Sequence, residues 1–256
     1  MKLTGRTILI TGGSAGIGLA FALKFRDLGN QVIVTGRRQA VLDEVKAKYP
    51  ELHTIQSDVA DRAQITALAT RVKADFPKLD VLMNNAGILV YKNLKAPAAD
   101  LAALMTEMNV NVGGVIGMTS SFIDILTANK GTVINVSSGL AFVPLPAAPI
   151  YSATKAAIHS YTQSLRFQLE ETGVEVIEIM PPAVKTDMTA ELAEGGASLI
   201  TTDELVKQSF ASLKAGALEI RPGQSKQLAL MRRLAPDLIN RQLWKASKKL
   251  VPVGAA

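Results

Sequence analysis

Ser138, Tyr151 and Lys155 are residues whose types could do chemistry together. Tyr151 and Lys155 are spaced i, i+4, so on a helix the phenol and the ammonium share one face. A phenol has a pKa of about 10, and a cation held beside it favours the phenolate. A tyrosine brought toward neutrality can exchange a proton with a substrate oxygen. Ser138 precedes Tyr151 by thirteen residues and could donate a hydrogen bond to the same oxygen. Tyr-x-x-x-Lys is also what an ordinary exposed helix pair looks like. The trio therefore gains meaning only from the elements that position it.

Those elements read as an alternation. Thr7–Thr11, Gln31–Thr35, His53–Gln56, Leu79–Met83, Thr132–Val136 and Val174–Met180 are short β-branched or apolar runs that predict buried strands. Helices are predicted at Leu19–Leu28, Val41–Tyr49, Asp61–Phe76 and Tyr151–Glu171. The stretch Ala98–Asn129 is long enough for two, with a break near Asn109-Val110-Asn111. Six β-runs alternating with helices predict an α/β fold, a doubly wound parallel sheet. Ligands of such sheets lie beyond the carboxyl ends of the strands. The glycine-rich turn after the first strand, Arg37, Asp58, Asn85, Ser138 and Val184 all follow predicted strands.

Each has its own chemistry. Gly12-Gly13-Ser14-Ala15-Gly16-Ile17-Gly18 lies between a strand and a helix, where glycines let the backbone approach a pyrophosphate at the helix N-terminus. After the second strand comes Gly36-Arg37-Arg38. A dinucleotide fold selects its cofactor there, with an acid for the 2′-hydroxyl of NAD or an arginine for the 2′-phosphate of NADP. Two arginines and no acid predict NADP(H). Asn84-Asn85-Ala86-Gly87 is a tight turn where backbone could approach something flat. Asn111, inside an apolar helical run, needs hydrogen-bond partners, and Gly113, Gly114 and Gly117 would admit a second helix at close range. His53 reads as a strand-edge residue and His159 as structural.

Composition narrows the classes. The chain has 256 residues, 48% of them hydrophobic, enough for one domain with a large core. It has no cysteine, which excludes disulfides and thiolate metal sites, and with two histidines no metal is expected. Residues 1–6 lead into a strand without a signal-peptide pattern, and no apolar run reaches the roughly 18 residues of a membrane span. A soluble, cytoplasmic protein is expected. The formal charge of +6 resides in the tail after residue 223, where seven basic residues face one acid, Asp237. Residues 1–223 are formally neutral.

Taken together, Thr11–Gly18, Asn84–Gly87, Asn111, Ser138, Tyr151 and Lys155 resemble the motif set of the short-chain dehydrogenase/reductase family in its single-domain form, over about residues 4–190. Within it the chain is most similar to oxidoreductases related to the product of the D-alanine lipoteichoic-acid operon. The resemblance implies a Rossmann-type fold and hydride transfer between a nicotinamide and a carbonyl carbon. Tyr151 would exchange the proton, Ser138 hold the oxygen, and Lys155 lower the tyrosine pKa and bind the nicotinamide ribose. Asn111 would place a water in a proton relay. By the same implication Gly12, Ser14, Ala15, Gly16, Ile17 and Gly18 would cradle the cofactor. Asp58 and Val59 would border the adenine, Asn85 the cofactor ribose, and Val184 and Thr186 the carboxamide, with Ala86, Gly87 and Pro181 also binding the cofactor. A homodimer or homotetramer is implied as well. Two departures stand out: Pro182 where the family often has glycine, and no basic residue in the glycine turn, which leaves cofactor selection to Arg37 and Arg38.

Leu140, Phe142 and Leu145 are expected to line the approach to Tyr151, with Met188 opening a lid over about 187–213 whose most mobile part is 194–202. No cation stands among the lining residues, so an apolar ketone, aldehyde or alcohol is the expected substrate. The tail, 224–256, reads as two short basic helices split at Pro236, packed on the body or on another subunit rather than on a membrane surface or on nucleic acid. The competing reading is a non-catalytic nucleotide-binding module that kept the fold, its tail touching a membrane.

Overall fold

The structure, a computed structural model, describes residues 1–92, 94, 101–194, 197–247 and 250. Its sheet holds seven parallel strands in the order β3-β2-β1-β4-β5-β6-β7. They are β1 (Thr7–Thr11), β2 (Gln31–Gly36), β3 (His53–Gln56), β4 (Leu79–Asn84), β5 (Thr132–Val136), β6 (Glu175–Ile179) and β7 (Glu219–Ile220). The chain winds outward from β1 to β3 and returns to lay β4 on the other side of β1. That reversal opens a crevice at the carboxyl ends of β1 and β4.

The helices are α1 (Gly16–Asp27), α2 (Gln39–Lys48), α3 (Arg62–Asp75), α4 (Leu101–Met108), α5 (Gly114–Ala128), α6 (Pro149–Gln168), α7 (Ala190–Glu194), α8 (Thr202–Lys214), α9 (Gln224–Leu234) and α10 (Pro236–Ser247). Strand alternation assigns them to faces. Ile8 and Ile10 of β1 pack with Phe21 and Phe25 of α1, Leu42 of α2 and Phe210 of α8. Leu9 points the other way, into a cluster with Val72 of α3, Phe122 of α5 and Leu165 of α6. Each such side chain, fully buried, contributes roughly 1.5–3 kcal/mol. The doubly wound sheet is therefore the observed fold.

On the α5/α6 face the interior is not wholly apolar. Register places Asn84, Asn135, Glu178 and Glu219 side by side across β4 to β7. The Asn84 amide donates to Asn135 Oδ1 at 2.9 Å and to Thr119 Oγ1 of α5 at 3.1 Å. The Asn135 amide donates to Thr162 Oγ1 of α6 at 2.9 Å. Buried polar groups thus find partners within one layer, as burial demands.

Four elements differ from expectation. No break interrupts α4 and α5: residues Asn109–Gly113 form a π-helical turn that inserts one residue and keeps the helix running. The joined helix Leu104–Ala128 has the length and apolarity to cross a bilayer, unlike the run lengths read from sequence, yet Met118, Phe122 and Leu126 are buried against the sheet. Strand β7 was not foreseen, because two residues carry no periodicity; its pairing with β6 defines it. Of the expected lid, 187–213, the described residues before 200 are mostly exposed. From Thr202 onward α8 is a core helix, with Leu205, Val206, Phe210 and Leu213 buried. The Thr201/Glu204 capping box that starts it was the available signal.

The expected helical start at Ala98–Asp100, the Gly195-Gly196 pair, and Lys248, Lys249 and 251–256 of the tail lie outside the described residues. The tail does divide at Pro236, and it is seated on the body. Ser225 of α9 lies so close to Gly139 that a Cβ there would come within 2.8 Å of its Oγ. Leu250 packs against the cluster containing Leu145 and Tyr151.

Candidate active site

A cleft of about 390 Å³ follows the carboxyl edge of the sheet, from Arg37, Arg38 and Asp58 to Tyr151, Lys155 and Thr186. Its floor is where two turns meet. Thr11 Oγ1, at the end of β1, accepts from the amides of Asn85 at 3.0 Å and Ala86 at 3.1 Å and donates to the Met83 carbonyl. The Asn85 side-chain amide returns to the carbonyls of Thr11 and Gly12 at 3.0 and 3.1 Å. Gly12 (φ 63°) has a conformation that suits glycine, and a Cβ there would stand 2.9 Å from the Ala86 Cα. From the sequence Thr11 counts as the end of a strand and the first residue of the glycine motif, with no role for its side chain. Its position at the strand end, facing the Asn-Ala-Gly turn, is what gives it this role.

A dinucleotide fits this floor. Helix α1 starts at Gly16 (φ 53°) with Ala15 before it, with no side-chain cap and no acid in its first turn. Its first N–H groups face the cleft unneutralised, the arrangement that receives phosphate. Ser14, Ala15, Ile17 and Gly87 line the same cleft, as do Val59, Pro181 and Val184. Gly18 does not. A Cβ there would lie 2.3 Å from the Gly12 carbonyl oxygen, so its smallness serves the packing of α1 under the turn. Ser57, Ser137 and Asp187 line the cleft and were not singled out from the sequence, although the first two sit at strand ends.

At the far end, helix α6 begins with Pro149 in its first turn and presents Tyr151 and Lys155, both buried. Lys155 Nζ lies 5.4 Å from the Tyr151 ring centroid and donates to the Val136 carbonyl at 2.9 Å. Ser138 Oγ accepts the Leu140 amide at 3.1 Å and stands near enough to the Tyr151 phenol to pull its pKa down. The electrostatics correct the simple expectation of a lowered tyrosine pKa. Burial pushes the Tyr151 phenol well above its usual range, the Ser138 bond pulls it back only in part, and Glu107 and Tyr91 push it further up. Lys155 itself is pushed down to about 8 by burial, against the pull of Glu178.

Asn111 does not face the cleft. It sits in the π turn, where Oδ1 accepts the Ile88 amide at 2.8 Å and Nδ2 donates to the Ile88 carbonyl at 2.9 Å and to Thr154 Oγ1 at 3.1 Å. Its side chain is spent on fixing the chain beyond Gly87 to helix α6. Of the residues expected around the substrate, Leu140 and Leu145 pack with Tyr151, and Met188 lines the cleft. Phe142 does not. Its ring packs edge-on to His159 at 5.1 Å and under Arg221 at 5.2 Å, two turns along α6 from Tyr151. The loop after Ser138 curls into the turn Gly139–Ala141, which swings Phe142 away. In its place Leu89, Tyr91 and Leu192 surround the tyrosine.

A parallel seven-stranded sheet with a glycine-lined cleft and a buried Ser/Tyr/Lys set defines a Rossmann-type oxidoreductase scaffold. Residues 6–196 match the short chain dehydrogenase family, and the chain belongs to it. It is 41% identical over 224 residues to the uncharacterised oxidoreductase DltE of Bacillus subtilis, covering 86% of this chain and 89% of that one. A Burkholderia cenocepacia short chain dehydrogenase in complex with NADP superposes with a TM-score of 0.84 at 28% identity, over 95% of this chain and 99% of that one. A Brucella melitensis 3-ketoacyl-(acyl-carrier-protein) reductase complexed with NADH gives 0.75 at 27% identity, over 83% and 91% of the two chains.

Proposed function

We propose that this oxidoreductase is an NADP(H)-dependent enzyme acting at the carbonyl or alcohol carbon of an apolar ketone or aldehyde. The observation that carries the reading is the meeting of Ser138, Tyr151 and Lys155 at one end of a cleft whose other end presents Arg37 and Arg38. A bound nicotinamide would supply or accept the hydride. The chain's own residues would do the rest. Arg37 and Arg38, directly after β2 and with no acid between them and the strand, would hold a 2′-phosphate. The uncapped start of α1 would hold the pyrophosphate.

Tyr151 would exchange the proton with the substrate oxygen, and Ser138 would donate a second hydrogen bond to it. Burial keeps the phenol protonated, which is the form that reduction requires. Lys155, released from the Val136 carbonyl toward a ribose, would bring its charge to the phenol as the anion develops. The surroundings favour an apolar substrate. Leu89, Leu140, Leu145 and Leu192 pack about Tyr151, and the buried Glu107 carboxyl, whose field reaches Tyr151, would repel an anion. A purely binding role would leave the buried Ser138/Tyr151/Lys155 arrangement without a use.

The test is NADPH and NADH oxidation at 340 nm against a panel of apolar aldehydes and ketones, with Tyr151→Phe alongside. Turnover with NADPH that the variant loses is the expected result. Equal turnover in the variant would remove Tyr151 from the chemistry.

A further inference from the structure

Glu178 is fully buried, and neither the cofactor cleft nor the substrate approach uses it. It stands in the middle of the polar row across the sheet, on the face covered by α6. Its Oε1 accepts the Ser137 hydroxyl, and its Oε2 lies 2.8 Å from His159 Nδ1. Ser137 is the residue between Val136, whose carbonyl receives Lys155, and Ser138. His159 follows Lys155 by one helical turn and is 19% exposed. The carboxylate thus ties together the strand end that carries Ser138 and the helix that carries Tyr151 and Lys155.

An ionised carboxylate with no solvent contact is costly unless it is paired and hydrogen-bonded. Here two hydrogen bonds are made, and the nearby positive charges are Lys155 and, when protonated, His159. Gln163 can serve His159 in either state. Its amide lies 3.3 Å from Nε2 and can donate to the neutral ring or, rotated, accept from the cation. Beside Glu178 in register, Glu219 of β7 is ion-paired with the Arg166 and Arg221 guanidiniums, and of these Glu219 raises and Arg221 lowers the His159 pKa.

We propose that Glu178 and His159 are a positioning pair behind the Ser138/Tyr151/Lys155 site: the carboxylate fixes the strand end through Ser137 and supplies the negative charge that keeps the Lys155 ammonium charged in the interior. The proposal rests on the dehydrogenase reading of the site. Burial lowers the Lys155 pKa to about 8, and Glu178 opposes that shift. Tyr151 titrates well above Lys155, so Lys155 is the first of the two to lose its proton as pH rises. Neutralising Glu178 removes the opposing field. The ammonium is then lost at lower pH, and the activity that needs it goes with it.

The experiment is the pH profile of kcat/KM for NADPH-dependent carbonyl reduction, with NADPH affinity read from its fluorescence. For Glu178→Gln, which keeps shape and hydrogen-bonding capacity, the alkaline limb is expected to move down by roughly one pH unit, with NADPH affinity within about threefold of the parent. Should that variant fail to fold, the partly exposed His159 gives the same test. His159→Lys leaves Glu178 in place and cancels its charge, so the limb moves down. His159→Gln keeps a donor without a charge, and the limb stays. Alkaline limbs that coincide in all folded variants, while Tyr151→Phe is inactive, would reduce the pair to core structure and overturn the proposal. Turnover retained in Tyr151→Phe would instead overturn the dehydrogenase reading on which it stands.

Discussion

At the Arg37 end the cleft is built of backbone, and at the Tyr151 end of side chains. The glycine turn and the Asn-Ala-Gly turn touch main chain to main chain, with a threonine hydroxyl between them. Among the described residues no charged side chain is buried there. The other end puts a phenol, an ammonium and a carboxylate out of solvent within one helix–strand junction. The first arrangement can hold a phosphate chain without being altered by it, because N–H groups have no protonation state to change. The second gathers titratable groups out of solvent, so on the proposed reading it would answer to pH and to single charges. Binding and chemistry should therefore fail separately.

Tyr151→Phe should separate them most. Removal of one hydroxyl should cost at least about a thousandfold in kcat, in line with loss of a general acid. NADPH affinity, held by the backbone end, should change less than about threefold. Steady-state kinetics with a fluorescence titration checks both. A large loss of cofactor affinity would show that the two ends are coupled.

Gly12→Ala should do the reverse. The new methyl meets the Ala86 main chain in a backbone conformation disfavoured for alanine. The expected cost is about 2–3 kcal/mol of folding stability, read by urea unfolding. NADPH and NADH should weaken together, because the floor that holds what they share is disturbed.

These two predictions rest on residues that the sequence itself marks, and the reason is locality. Gly12, Gly16, Tyr151 and Lys155 act through turn geometry and an i, i+4 spacing, both of which are properties of a few consecutive residues. The strands were visible for the same reason. What escaped was set by register between distant segments. Glu178 meets Ser137 and His159 only because β5, β6 and α6 align as they do, and nothing in Glu-Ile-Met-Pro announces a buried carboxylate. Phe142 was misplaced because a single 3₁₀ turn redirects the loop after Ser138. Asn111 was expected to place a water in a proton relay, but its side-chain partners depend on a π turn that periodicity cannot show. The sign of the Tyr151 shift was misjudged because spacing reveals the neighbouring cation and not the depth of burial that outweighs it.

Arg37→Ala combined with Arg38→Ala sharpens the comparison within the backbone end. Side chains rather than main chain would read the 2′-phosphate. The double variant should weaken NADPH by roughly 10–100-fold, as loss of charged hydrogen bonds implies, and change NADH little. Fluorescence titration with both cofactors decides it, and equal weakening would remove the arginines from cofactor selection.

The smallest effect concerns stability, and it isolates the side-chain end without any cofactor. The Glu178 hydrogen bond raises the His159 pKa above its ordinary 6.5, partly offset by burial. A histidine raised in the folded state adds stability that is fully present below pH 6.5, where the unfolded chain is also protonated. That stability is lost as pH rises through the folded value. Lys155 has the opposite linkage. Its folded value, about 8, lies below the unfolded value, so stability rises between pH 8 and about 10.5 as the unfolded chain alone stays protonated. The Lys155 contribution is common to the parent and to His159→Gln and cancels in their difference. The melting temperature of the parent should therefore exceed that of His159→Gln most at pH 6 and least at pH 9. The free-energy gap should close by under about 1 kcal/mol, because the ring is partly solvated. A gap that stays constant with pH would mean that the ring packs against Phe142 and Glu178 without titrating between them, and that the buried carboxylate is balanced by Lys155 alone.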